Sequence, residues 1–152
     1  MTEWRAAGVA DADALTALER DANLVALAHV FPPDRYPFPW DGVRERWVAT
    51  LQEPGVVVEV VDGDGRLDAF VAHDGVTLRH LGVHPDRWGQ GLARAAVDRA
   101  AGAGATRLWC LVDNHRARGL YDHLGFAETG GSRQAPWPPY PTEVELSRSG
   151  SS

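Results

Sequence analysis

At 152 residues the chain fits one domain, long enough to bury most of its unfolded surface in a core. A formal net charge of −6 excludes the basic face that a nucleic-acid binder needs, while remaining compatible with a cationic substrate. The lone Cys110 rules out an intrachain disulfide, no apolar run is long enough to span a membrane, and the first residues lack a signal-peptide pattern, so a soluble cytoplasmic protein is expected.

Trp4 to Val9 reads as a first strand. Asp11 offers an N-cap, and Leu15, Leu18, Ala22 and Val25 recur at the spacing of an amphipathic helix. Phe31 to Trp40 holds four prolines in ten residues, which excludes helix and central strand. A long aromatic, proline-stiffened loop in a compact domain points to a substrate site, with a packed surface loop as the alternative. Asp41 then caps a helix whose inner face carries Val43, Trp47 and Leu51.

Val56 to Val61 is β-branched and extended, and Asp62-Gly63-Asp64-Gly65 is a turn. Leu67 to His73 returns, Asp74-Gly75 is a hairpin signal, and Val76 to Val83 follows. The result is an antiparallel meander. Pro85 cannot donate to a sheet ladder, so that last strand stops near Val83.

Beyond the proline, Gly89 and Gly91 allow a close backbone approach, and from Leu92 the apolar residues recur at helical spacing. Unpaired amides at the start of a helix form an anion site, so the expected ligand carries a phosphate or pyrophosphate. No Lys-Ser or Lys-Thr follows the glycines, which excludes a nucleotide P-loop, and the three-glycine dinucleotide fingerprint is missing.

Arg107 to Val112 reads as a buried, centrally paired strand, in which Cys110 is structural. Asn114 is an N-cap for a short helix with Ala117, Leu120, Tyr121 and Leu124 on one face, and Gly125 is its stop. Phe126 to Thr129 is a strand. A second aromatic-proline loop, Ala135 to Pro141, precedes an alternating edge strand from Glu143 to Leu146. Residues 147–152 read as a disordered tail behind a domain spanning 1–146.

In this order, the strand–glycine loop–helix at 81–94 and the later Asn114-x-x-Ala117-x-x-x-Tyr121-x-x-x-Gly125-Phe126 resemble the GNAT superfamily of acetyl-CoA-dependent N-acetyltransferases. The resemblance implies a single three-layer α/β (α+β) domain, with a mixed, mostly antiparallel sheet, helices on both faces, and acetyl-CoA in a wedge between the strand ending at Val83 and the strand from Arg107. The family's loop pattern is Arg or Gln, two residues, Gly, one residue, Gly or Ala. Gly91 and Ala93 match its last places, whereas Trp88 stands where Arg or Gln is usual. The backbone of Trp88, Gly89, Gln90, Gly91, Leu92, Ala93 and Arg94 is therefore expected to cradle the pyrophosphate, with Arg87 or Arg94 supplying charge. By the same resemblance Leu81, Gly82 and Val83 pair with the pantetheine arm and Asn114 lies beside it. Tyr121 is then the general acid that protonates the departing thiolate.

The family's glutamate base would fall near Thr77, where no carboxylate stands. His80 is the nearest titratable side chain with a suitable pKa, and His73, Glu59, Asp113 or ordered water are the alternatives. The remaining histidines do not group with Cys110 as zinc ligands, so no metal is expected. Tyr36, Phe38, Trp40, Trp137 and Tyr140 are the expected acceptor site, aromatic enough for an apolar or cationic group. Glu and Asp residues in the first helices add attraction for an amine, so a small-molecule primary amine, such as an amino acid, a polyamine or an aminoglycoside-like compound, is the expected acceptor. A peptide amine is the enzymatic alternative, and a non-catalytic acyl-CoA sensor is the reading from another class. Homodimers are common in the family, and the edge at Glu143 to Leu146 is one surface for such a contact.

Overall fold

The computed structural model describes residues 2–149. Seven strands form one sheet: β1 (Arg5–Ala6), β2 (Val57–Asp62), β3 (Leu67–His73), β4 (Thr77–Val83), β5 (Arg107–Leu111), β6 (Ala127–Gln134) and β7 (Thr142–Ser147). Their spatial order is β1-β2-β3-β4-β5-β7-β6, and every pair is antiparallel except β4 with β5. The helices are α1 (Ala12–Ala26), α2 (Trp40–Gln52), α3 (Leu92–Gly102) and α4 (His115–His123). The three-layer, mostly antiparallel fold anticipated from the sequence is the one observed.

Alternation along β3 explains the layering. All seven of its residues are buried. Phe70 and Ala72 pack with Leu15, Val43 and Trp47 of α1 and α2, while Val71 turns to Ala96, Val97 and Ala100 of α3. A strand covered on both faces reads as a continuous apolar run, as Ala69 to Ala72 do here. Trp47 is fully enclosed, its ring edge-on to Phe70 at 5.0 Å between centroids. Enclosing a side chain of that size contributes on the order of 2–3 kcal/mol.

Several local expectations shift. The first strand shortens to Arg5–Ala6, and Val9–Asp11 is a 3-10 turn. Asp11 does not cap α1 through its side chain, because its carboxylate accepts from the Gly8 amide at 2.8 Å and from Arg5. Asp41 lies inside the first turn of α2 rather than before it, since Pro39 precedes Trp40 there. β6 runs on to Gln134 through an irregularity between Glu128 and Ser132.

β7 is interior. It lies between β5 and β6, so the edge expected at Glu143–Leu146 is instead formed by β6. Its alternating acids look solvent-facing in sequence, but the sheet satisfies them across strands, with Glu143 bound to Arg133 at 2.9 Å and Glu145 to Arg107 at 3.8 Å. The strand includes Ser147, and the Arg148 amide donates to Thr106 at 3.0 Å. The expected tail therefore starts inside an ordered strand, and its last three residues, 150–152, lie outside the described residues. Among the described residues no helix is long and apolar enough to cross a membrane.

Candidate active site

β4 and β5 are paired only at Thr77 with Arg107 and Leu78 with Leu108. Beyond Leu78 the two strands part, leaving the β5-facing edge of β4 without a partner strand. A cavity of about 190 Å³ occupies the opening. His80, Leu81 and Gly82 of β4, Cys110 of β5, and Asn114 and Tyr121 of α4 all reach its wall. Asn114 also caps α4, its Oδ1 accepting from the Ala117 amide at 3.2 Å. The expected side chains from β4 and α4 therefore meet in one place.

A second cavity, of about 320 Å³, continues from this one beneath the glycine loop. The loop has the required conformation, with Gly89 at φ 80° and Gly91 at φ 84°, where a side chain would be strained. Among the described residues the amides of Gly89, Gln90, Gly91, Leu92, Ala93 and Arg94 donate to no carbonyl of the chain. Six outward amides at a helix start fit a pyrophosphate. The Trp88 amide does not join them, because it donates to Pro85 at 3.2 Å.

The side-chain charges differ from expectation. Arg87 is committed elsewhere, with Nη1 on the buried Asp68 and Nε on Gln90 Oε1 at 2.6 Å. Trp88 anchors the loop to β4, its Nε1 donating to the Val83 carbonyl at 2.9 Å. Arg116 then lies over the Trp88 ring, 3.7 Å from its centroid, and lines the same cavity. Arg94 and Arg116 form no ion pair among the described residues, so these two are the cations available to a phosphate.

Tyr121 is buried, its ring edge-on to Phe126 at 5.5 Å. Burial, reinforced by the neighbouring Cys110, pushes its phenol well above the usual range, so the hydroxyl stays protonated at any ordinary pH. The Cys110 thiol is likewise pushed up by burial, to about 11, and is not a nucleophile at neutral pH. His80 opens partly to the cavity but is otherwise enclosed, its ring 5.1 Å from that of Trp47. Desolvation, then the charges of Arg46, Arg79 and Arg133, hold its pKa well below 6.5. His80 is therefore held as a neutral imidazole and is a weaker base than the unperturbed histidine expected from the sequence.

The aromatic loops form a third and larger cavity of about 380 Å³, to which Tyr36, Phe38 and Trp137 contribute. Trp40 and Tyr140 do not. Trp40 lies beneath the Arg20 guanidinium at 5.3 Å, and Tyr140 is 52% exposed on the surface. Trp137 packs so tightly onto α2 that a Cβ at Gly42 would lie 2.6 Å from its ring.

Glu19, one of the acids of the first helices expected near the acceptor, and Asn23, absent from the sequence expectations, line both this cavity and the one at the strand opening, and Asn23 lines the glycine-loop cavity too. Their four-residue spacing puts them on one helix face, which was the available signal. Glu19 accepts from Trp47 Nε1 at 3.0 Å and pairs with Arg46. Arg116 was missed because its partner Trp88 is remote in sequence. Among the described residues no three His, Cys, Asp or Glu side chains gather as a metal site.

The model of the acetyltransferase (GNAT) family matches residues 12–126. A mycothiol acetyltransferase from Beutenbergia cavernae is 34% identical over 125 residues, covering 73% of this chain and 42% of the relative, so the chain spans well under half the relative's length. The fold is similar to that of apo YjaB from Escherichia coli, with a TM-score of 0.74, 17% identity and 99% of each chain covered. It is also similar to the PaiA N-acetyltransferase of Thermoplasma acidophilum solved with coenzyme A, with a TM-score of 0.67, 14% identity, and 95% and 98% of the two chains covered.

Proposed function

The chain belongs to the GNAT family of acetyl-CoA-dependent N-acetyltransferases, and we propose that it transfers acetyl directly to the primary amine of a small molecule with both substrates bound together. The observation that carries this reading is the meeting of Tyr121, His80 and Asn114 at one opening, joined on one side to the phosphate-type loop and on the other to the aromatic cavity. When bound, acetyl-CoA supplies an activated thioester acetyl group. The names of relatives such as mycothiol acetyltransferase and spermidine N-acetyltransferase are consistent with a small acceptor.

Each residue has a definable task. The free amides from Gly89 to Arg94, with Arg94 and Arg116, hold the phosphates. The unpaired edge of β4 at Leu81 and Gly82 offers backbone groups to an extended, amide-bearing arm. An amine attacks only in its neutral form, so the ammonium proton goes to solvent before attack, and the enclosed imidazole of His80, which stays neutral, accepts a hydrogen bond from the amine and orients it. Tyr121 gives its hydroxyl proton to the departing sulfur, so thiol rather than thiolate leaves, and its oxygen regains the proton that the attacking nitrogen loses as the amide forms. Asn114 keeps α4, and hence Tyr121, in register with the opening.

Replacing Tyr121 with Phe tests this. Removing a proton donor costs about 10²- to 10⁴-fold in turnover, so thiol release should fall by that range while calorimetry shows unchanged acetyl-CoA affinity. Release at the parental rate for every accepted amine would remove Tyr121 from the chemistry.

A further inference from the structure

The cavity formed by the two proline-rich loops is mainly apolar. Leu24, Phe31, Tyr36, Phe38, Val43 and Trp137 line it together with four prolines. Its single lining carboxylate, Glu19, is already neutralised by Arg46 and held by the Trp47 indole. At the adjoining opening, Glu143 is paired with Arg133 at 2.9 Å. No carboxylate lining either cavity is left to meet an incoming cation.

The ring faces offer little more to a cation. The Arg35 guanidinium sits over Tyr36 at 5.7 Å, and it makes no ion pair among the described residues. One side of Trp137 is packed onto α2 at Gly42. The guanidinium over Tyr36 repels a second cation brought to that ring. Around the opening, Arg46 and Arg79 add positive field at His80.

We propose that this cavity holds the apolar body of a monoamine acceptor, with its amine directed past Glu19 and Asn23 to the opening, and that it rejects polyamines and other acceptors carrying a second positive charge. The statement rests on the acetyl-transfer reading and narrows its substrate class. Desolvation favours an alkyl or aryl body here, whereas a second ammonium would enter an apolar wall without a counter-charge.

The test uses the full chain with acetyl-CoA and follows thiol release from propylamine, butylamine, hexylamine, 2-phenylethylamine, putrescine and spermidine. Each methylene buried should raise kcat/KM about fourfold, so about fourfold from propylamine to butylamine and about sixteenfold from butylamine to hexylamine, until the cavity is filled. Hexylamine and 2-phenylethylamine should exceed spermidine by at least about tenfold, the discrimination expected when a buried charge goes unpaired. Trp137→Ala should raise KM for 2-phenylethylamine and leave acetyl-CoA affinity unchanged, and Tyr36→Ala serves as a second variant should the first fold poorly. Spermidine or putrescine turned over as well as hexylamine would overturn this inference while leaving the acetyltransferase reading intact. Acetyl-CoA binding without thiol release from any of the six amines would overturn both.

Discussion

Tyr121 and His80 are displaced in opposite directions by the same enclosure: the phenol is kept protonated and the imidazole is kept neutral. Neither group changes state across the pH range of an ordinary assay. The rise of kcat/KM with pH should therefore follow the ionisation of the acceptor amine itself, moving with the amine's pKa across a series. His80 also links folding to pH. Its unfolded pKa near 6.5 exceeds its folded one, so between those values the unfolded chain binds more protons, and stability falls as the solution is acidified through that window. Denaturant unfolding from pH 7.5 down to pH 5 should show this decline, with a shallower slope in His80→Gln. Identical slopes in the two proteins would mean that the imbalance lies in other groups.

At the scale of elements, the glycine loop is held from beneath. Asp68 on β3 is buried and binds Arg87, while the Asp68 carbonyl accepts from the His84 amide at 2.8 Å. Arg66 reaches the same carboxylate at 3.3 Å. Removing its charge in Asp68→Asn should cost about 1–2 kcal/mol, below the figure for a fully buried pair because both arginines are partly exposed. The loop carries the amides proposed to hold the phosphates, so a loosened loop should weaken acetyl-CoA binding about tenfold, with thiol release at saturating acetyl-CoA little changed. A lowered melting temperature with intact acetyl-CoA affinity would show that the loop keeps its shape without this support.

These elements differed in how far the chain declared them. β3 begins and ends where the turn residues on either side, Asp62 to Gly65 and Asp74-Gly75, leave it, and α4 begins just after Asn114 because a local side chain–backbone bond sets that boundary. The glycine loop was legible for the same reason, since φ near +80° is a local demand. The place of β7 was not, because Glu143 and Glu145 are satisfied by Arg133 and Arg107, residues that only the finished sheet brings alongside. Likewise Arg87 looked available until Asp68 was found beneath it, and Trp40 looked like acceptor wall until Arg20 covered it. Local chemistry was readable, and long-range pairing was not.

For the molecule as a whole, the decisive feature is the brevity of the β4–β5 seam. Strands β1 to β4 form one panel and β5, β7 and β6 another, yet only two residue pairs stitch the panels together. Mechanically this is a notch, the tip of a crack arrested at Leu78. A ligand arm laid along the open edge of β4 would close the notch as a suture does. It would add protection at free energies up to about 2.7 kcal/mol at a hundredfold excess over Kd. Hydrogen–deuterium exchange should then slow on adding acetyl-CoA most strongly at the amides of residues 79–83, and hardly at all along the β2–β3 ladder. Uniform slowing throughout the sheet would mean that the two panels already act as one body, and that the notch is a boundary in geometry without being one in mechanics.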